Sequence, residues 1–127
     1  METLEVTRIA ASEAAAVMHA AGLIDPAGVD TPSTIAATGE TFALSTPGGR
    51  GVFVTKKRGR QLWISGAGAV GSTGLAQCGL DMIEAIARQS DCDTVAFQTA
   101  RPGLVRIAKK QGYRITGFIL EKKNDHL

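Results

Sequence analysis

QLWISGAGAVGSTGLAQCGLDMIEAIARQ, residues 61–89, decides how this chain folds. A short apolar run, QLWIS, passes through GAGAVGSTG (66–74) into a helical repeat, and Gly66, Gly68 and Gly71 fall in the G-x-G-x-x-G spacing of a dinucleotide-binding turn. Three glycines at that spacing arise easily among 15 glycines in 127 residues, so the context has to decide. A dinucleotide fingerprint needs a strand before it, a helix after it, and an acidic residue at the end of the next strand to hold the ribose. The first two conditions are met. The third fails, because the next strand ends in Gln98 and Thr99, while Asp91 and Asp93 precede it. A Walker-type phosphate loop fails as well, since GSTG has no lysine before its hydroxyl residues. Two readings stay open: a glycine-rich turn whose backbone amides meet a phosphate at a helix N-terminus, or a local device for a tight strand-to-helix connection.

Working outward, Leu75, Gly79, Met82, Ile83 and Ile86 form one face of a helix from Ser72, and Gln77, Asp81, Glu84 and Arg88 the other, with Glu84 and Arg88 spaced to pair. DTVAFQT (93–99) reads as a strand rich in β-branched and aromatic residues. RPGLVRIAKKQG (101–112) follows as a helix with Pro102 in its first turn and Gly112 at its end, and YRITGFILEKK (113–123) as a final strand. Upstream, TFALS, GVFVT and QLWIS, separated by TPGGR and KKRGR, predict an antiparallel three-stranded meander. LEVTRI (4–9) alternates as a first strand, Ser12 is placed to cap a helix ending at Gly22, and residues 23–40 form a loop with a short helix around Ser33–Ala37. The expectation is a mixed α/β (α+β) domain over residues 1–127: a meander, then a helix-strand-helix-strand unit.

Composition bounds function. Apolar residues at 44% and charged residues at 20% describe a globular chain with one core. No apolar run is long enough for a membrane helix, and METLEVTRIA is no signal peptide, so a cytoplasmic location is expected, or a virion if the chain is phage-derived. Cys78 and Cys92 read as reduced thiols, and His19 and His126 lie too far apart in sequence to suggest a metal site. A net charge of +2 does not argue for nucleic acid as a specific ligand. The basic turn TKKRGRQ and the Arg106, Lys109, Lys110 face are most simply solvated.

The order of elements, and above all KKQGYRITGFIL, resembles the GCN5-related N-acetyltransferase (GNAT) fold. That resemblance implies that Gly68, Ala69, Val70, Gly71, Ser72, Thr73 and Gly74 form the loop around the pyrophosphate of acetyl-coenzyme A, with Trp63 and Phe97 on the strands flanking the acyl-CoA cleft. The family pattern would place Arg or Gln near Gly68, a small residue at Thr73, Tyr at Ala108 and Asn at Arg101. The usual general acid is therefore missing, and His19 and Glu40 show no partner that would make either a base. No catalytic residue is assigned. The short form is also similar to small internal virion proteins of short-tailed bacteriophages. Two functions follow: a degenerate GNAT-like domain without a cofactor, acting among other protein subunits such as those of a phage particle, or an acetyl-CoA-dependent N-acetyltransferase acting on an amine.

Overall fold

A computed structural model describes residues 5–22, 30–71 and 75–122. One mixed sheet, ordered β1-β2-β3-β4-β5, runs through it: β1 (Glu5–Arg8), β2 (Glu40–Thr46), β3 (Gly49–Arg58), β4 (Gln61–Gly71) and β5 (Thr94–Phe97). The first four strands are antiparallel neighbours, and β5 pairs parallel to β4. Helices α1 (Ala11–Ala20) and α2 (Pro32–Ala36) cover one face; α3 (Leu75–Gln89) and α4 (Pro102–Lys110) pack on the other.

Strand alternation divides the core accordingly. Val52 and Val54 of β3 face Ala14, Ala15 and Met18 of α1, whereas Phe53 between them joins Leu62, Ile64, Leu80 and Ile83 on the α3 side. Both hairpin turns fall where their glycines and polar residues predict, with Gly59 at φ +60°. The short helix is fixed by a capping box in which Thr31 and Thr34 bond each other's backbone amides.

Three expectations are corrected. The first helix starts at Ala11, with Ala10 at its cap and no side-chain bond there, so Ser12 sits in the first turn. In α3 the buried positions are Leu75, Leu80, Ile83 and Ala87, with Met82 and Ile86 partly buried, while Gly79 meets open space. The apolar face is thus rotated from the expected one, and Glu84 lies at its margin, where Tyr113 and Gln111 engage it. Residues 113–122 form no strand. Their composition suits one, but a strand needs a paired edge, which composition cannot supply.

Candidate functional site

β4 outruns its parallel neighbour β5, and the notch where β5 stops is the wedge between them. The parallel ladder runs from Gln61↔Thr94 to Ile64↔Phe97 and stops there, while β4 continues from Ser65 to Gly71 paired only to β3. The apex carries a bulge: Ile64 faces Thr55 and Gly66 faces Val54, leaving Ser65 without an opposite residue. The extra residue shifts the alternation of β4. Leu62 and Ile64 turn toward α3 before the bulge, and Ala67 and Ala69 do so after it, opposite Phe53 and Gly51. Ala67 and Ala69 are exposed although their strand lies inside the sheet.

The notch therefore presents the exposed methyl groups of Ala67 and Ala69 beside a strand edge whose backbone groups find no ladder partner on the β5 side among the described residues. An extended molecule carrying amides can lie there as an added strand does. Gln98 and Thr99 follow β5 at the apex, and the Thr99 hydroxyl accepts from the Arg101 amide at 3.1 Å before α4 begins.

The glycine stretch is not the turn that its spacing suggests. Gly68, Ala69, Val70 and Gly71 belong to β4, in register with Val52, Gly51, Arg50 and Gly49. The physical reason is packing. A Cβ on Gly68 would stand 3.1 Å from Met18 Cα, so any larger residue would need α1 to give by a few tenths of an ångström. Gly71 has φ +97°, and a Cβ there would meet the Gly48 carbonyl at 2.5 Å. Ser72, Thr73 and Gly74 lie outside the described residues. Sequence reasoning missed the bulge at Ser65 and the exposure of Ala67 and Ala69; the alternation GAGA, with small residues on both faces of a strand, was the available signal.

The two aromatics separate. Phe97 packs on the α3 side and meets Tyr113 edge-on at 5.6 Å, whereas Trp63 belongs to the opposite strand face and carries the Arg58 guanidinium 4.8 Å from its ring centre. Both nonetheless border the same cavity beside β5, from opposite faces of the sheet. The basic turn is largely engaged in structure: Lys57 donates to the Ser90 carbonyl at 2.8 Å, and Arg60 makes a two-pronged bond to Asp93 at 2.6 and 2.9 Å. That contact lies at the closed end of the β4–β5 pair. The Arg60 hydrogen bond holds the Asp93 carboxyl below its usual range, and the same bond raises Arg60.

The expected acid and base positions are also placed. Ala108 is buried between α3 and α4, so the family's tyrosine position points into the core. His19 is exposed in the last turn of α1, and Glu40 pairs with Arg8 at the start of β2, two strands from β4. Tyr113 donates to Glu84 at 3.1 Å, and burial, reinforced by Glu84, pushes its hydroxyl well above the ordinary tyrosine range. Among the described residues no cluster of His, Cys, Asp and Glu suits a metal ion, and no helix is long and apolar enough to cross a membrane.

No protein-family model matches the sequence, and no curated protein matches it. Solved structures do. An acetyltransferase from Trypanosoma brucei is 15% identical, with a TM-score of 0.60 over 95% of this chain and 99% of its own. A predicted acetyltransferase from Clostridium acetobutylicum, solved with acetyl-CoA, is 11% identical, with a TM-score of 0.62 over 98% and 99%. The ribosomal-protein-alanine N-acetyltransferase of Brucella melitensis biovar Abortus is 10% identical, with a TM-score of 0.61 over 95% and 100%. These are acetyltransferases, and nothing among them supports a phage-particle subunit or the expectation that no cofactor is used. The five-stranded mixed sheet with its helices and its whole-chain likeness to these structures show that this chain has a GNAT-like fold.

Proposed function

We propose that the chain binds acetyl-CoA in the wedge and transfers the acetyl group to an amine. The observation that carries this reading is that the ladder and β5 end at Phe97 while β4 runs on to Gly71, which leaves a strand edge without a ladder partner on that side among the described residues, beside the exposed Ala67 and Ala69. The pantetheine arm of coenzyme A is a narrow chain with amide groups, and exposed methyl groups along an unladdered strand edge suit it. Its fit to the fold is supported by the Clostridium acetobutylicum structure, which holds acetyl-CoA.

Acetyl-CoA supplies an activated thioester. In the transfer, the lone pair of a neutral amine forms the new C–N bond at the thioester carbonyl, the C–S bond breaks, and the sulfur leaves with the electron pair. The amine nitrogen gives up its proton to water, and the thiolate takes one from water. This chain's contribution is positioning: the β4 edge holds the thioester chain in line, and the bulge at Ser65 exposes backbone groups at the apex. With Ala108 buried, α4 supplies no acid at the family position, so thiolate departure relies on solvent and on the backbone.

Thermal unfolding with added acetyl-CoA tests binding, and thiol release with a panel of primary amines tests transfer. A Tm that rises with acetyl-CoA concentration is expected, because a ligand held only by the folded chain must stabilise it. No rise near millimolar acetyl-CoA removes the proposal. A rise without thiol release leaves an acyl-CoA-binding module.

A further inference from the structure

We propose that a cavity beneath the C-terminal end of α3, apart from the wedge, binds the zwitterion of a small apolar α-amino acid. The cavity measures about 230 Å³, and its walls include Glu40 at the start of β2, Thr55 and Lys57 of β3, Leu62 of β4, Ile86 of α3 and Ser90 just past that helix. None of these residues belongs to β4 from Ser65 to Gly71, so the site stands independently of acetyl-CoA binding.

Strand alternation assembles it. Phe42 and Leu44 face α3, so Glu40 does too; Phe53 faces α3, so Thr55 and Lys57 follow, with Leu62 opposite Lys57. Glu40 is the direct cross-strand partner of Thr55, which places it diagonally from Lys57. Opposite charges in that relation commonly pair. Here they are held apart. Arg8 takes one oxygen, Oε1, of Glu40, and the Lys57 ammonium donates to the Ser90 carbonyl at 2.8 Å, where it also meets the negative end of the α3 dipole. A carboxylate and an ammonium group thus border one cavity, each engaged by a different partner.

Thr55 lies between them and supplies the decisive observation. It is 3% exposed, and among the described residues its hydroxyl has no hydrogen-bond partner. A buried polar group without a bond is costly, so an unpartnered hydroxyl on the wall of a cavity points to a bond made from outside the chain. About 15 Å³ admits a single water, and this cavity far exceeds that while falling below the size of pockets for drug-sized ligands. Charge selects the occupant. The Thr55 hydroxyl and the remaining N–H groups of Lys57 suit a carboxylate, and the second oxygen of Glu40 suits an ammonium group on the same molecule. Leu62 and Ile86 give a short hydrocarbon side chain an apolar wall. A simple anion would stand against Glu40 without compensation, and a simple amine against Lys57.

Titration of the isotope-labelled full chain with L-valine, followed by amide NMR, tests the site. Saturable shifts are expected at residues 39–40, 55–57 and 90 below about 10 mM. Isovalerate, which lacks the ammonium group, and isobutylamine, which lacks the carboxylate, should bind at least about tenfold more weakly, the loss expected for one charge-assisted bond. Thr55→Val removes the hydroxyl at nearly constant shape. It should weaken L-valine binding by about tenfold and leave the Tm at or above the parent's, because no bond within the chain is lost. Glu40→Gln should erase the preference for L-valine over isovalerate. Absence of shifts with L-valine leaves the Thr55 hydroxyl to water alone and overturns the proposal. Equal affinities for L-valine and isovalerate in the parent chain overturn it too, as does unchanged L-valine affinity in Thr55→Val.

Discussion

Gly68 lies directly beneath Met18: a Cβ built on it would stand 3.1 Å from Met18 Cα and 3.2 Å from Ala21 Cβ. This contact seats α1 on β4 beside the wedge, so Gly68→Ala should require α1 to shift by a few tenths of an ångström. Overpacking of this kind costs about 1–3 kcal/mol. Gly51→Ala is the internal control, because its Cβ would make only ordinary contacts, at 3.6 Å to the Gly68 carbonyl and 3.8 Å to Ala69. It should be neutral or stabilise by about 0.5 kcal/mol through the unfolded chain. Urea unfolding of both variants gives the comparison. Placing the family's Arg or Gln at Gly68 should likewise destabilise rather than improve ligand binding.

The notch can be blocked without touching the core. Ala67→Leu and Ala69→Leu enlarge exposed side chains on the α3 side of β4, so each should leave the Tm of the free protein within a few degrees of the parent, about 0.5 kcal/mol. Both should abolish most of the Tm rise produced by acetyl-CoA. Unchanged ligand response in the two variants would place acetyl-CoA away from β4.

Much of this arrangement was legible in the residues. The meander, α3, β5 and α4 follow from alternation, helical repeat and the Pro102 and Gly112 boundaries, because each of those signals is local. The glycine stretch misled because its spacing is shared by two physical demands: a phosphate turn needs bare amides, and a strand under a close-packed helix needs bare Cα atoms. Only the contact with Met18, remote in sequence, separates them at Gly68. The C-terminal segment misled for a related reason. YRITGFILEK has strand composition, but pairing is a property of two chains of residues, and the edge of β5 lies across a cavity from it. The bulge at Ser65 is likewise a register relation between β3 and β4, visible in neither strand by itself.

At the closed end of the wedge, Arg60 and Asp93 fasten the start of β4 to the start of β5, with the Asp93 and Thr94 amides also donating to the Arg60 carbonyl. Asp93 has a lowered pKa in the folded chain, so its contribution to stability is present above the ordinary carboxylate range and is lost as pH falls through that range. The pair is solvent-exposed, and salt should weaken it. Asp93→Asn should flatten the acid limb of the Tm-against-pH curve between about pH 5 and 3. An acid limb identical to the parent's would show that the pair adds nothing to folding.

Tyr113 offers the cleanest titration in the molecule, because it is the one tyrosine of the sequence. Its folded pKa is raised by burial and by Glu84, so the folded chain holds the phenolic proton more tightly than the unfolded chain does. Stability from this group is fully present below about pH 10, the unfolded value, and falls as pH rises above it, where the unfolded state ionises first. The ultraviolet absorbance of tyrosinate should therefore appear at higher pH in the native protein than in urea. Tyr113→Phe removes the hydroxyl donated to Glu84 and should cost about 1 kcal/mol at neutral pH, a half-exposed bond to a charged acceptor. The same variant should lose the part of the alkaline stability decline that belongs to this residue. A native tyrosinate transition coincident with that in urea would mean that Glu84 and the packing on Phe97 do not hold the proton.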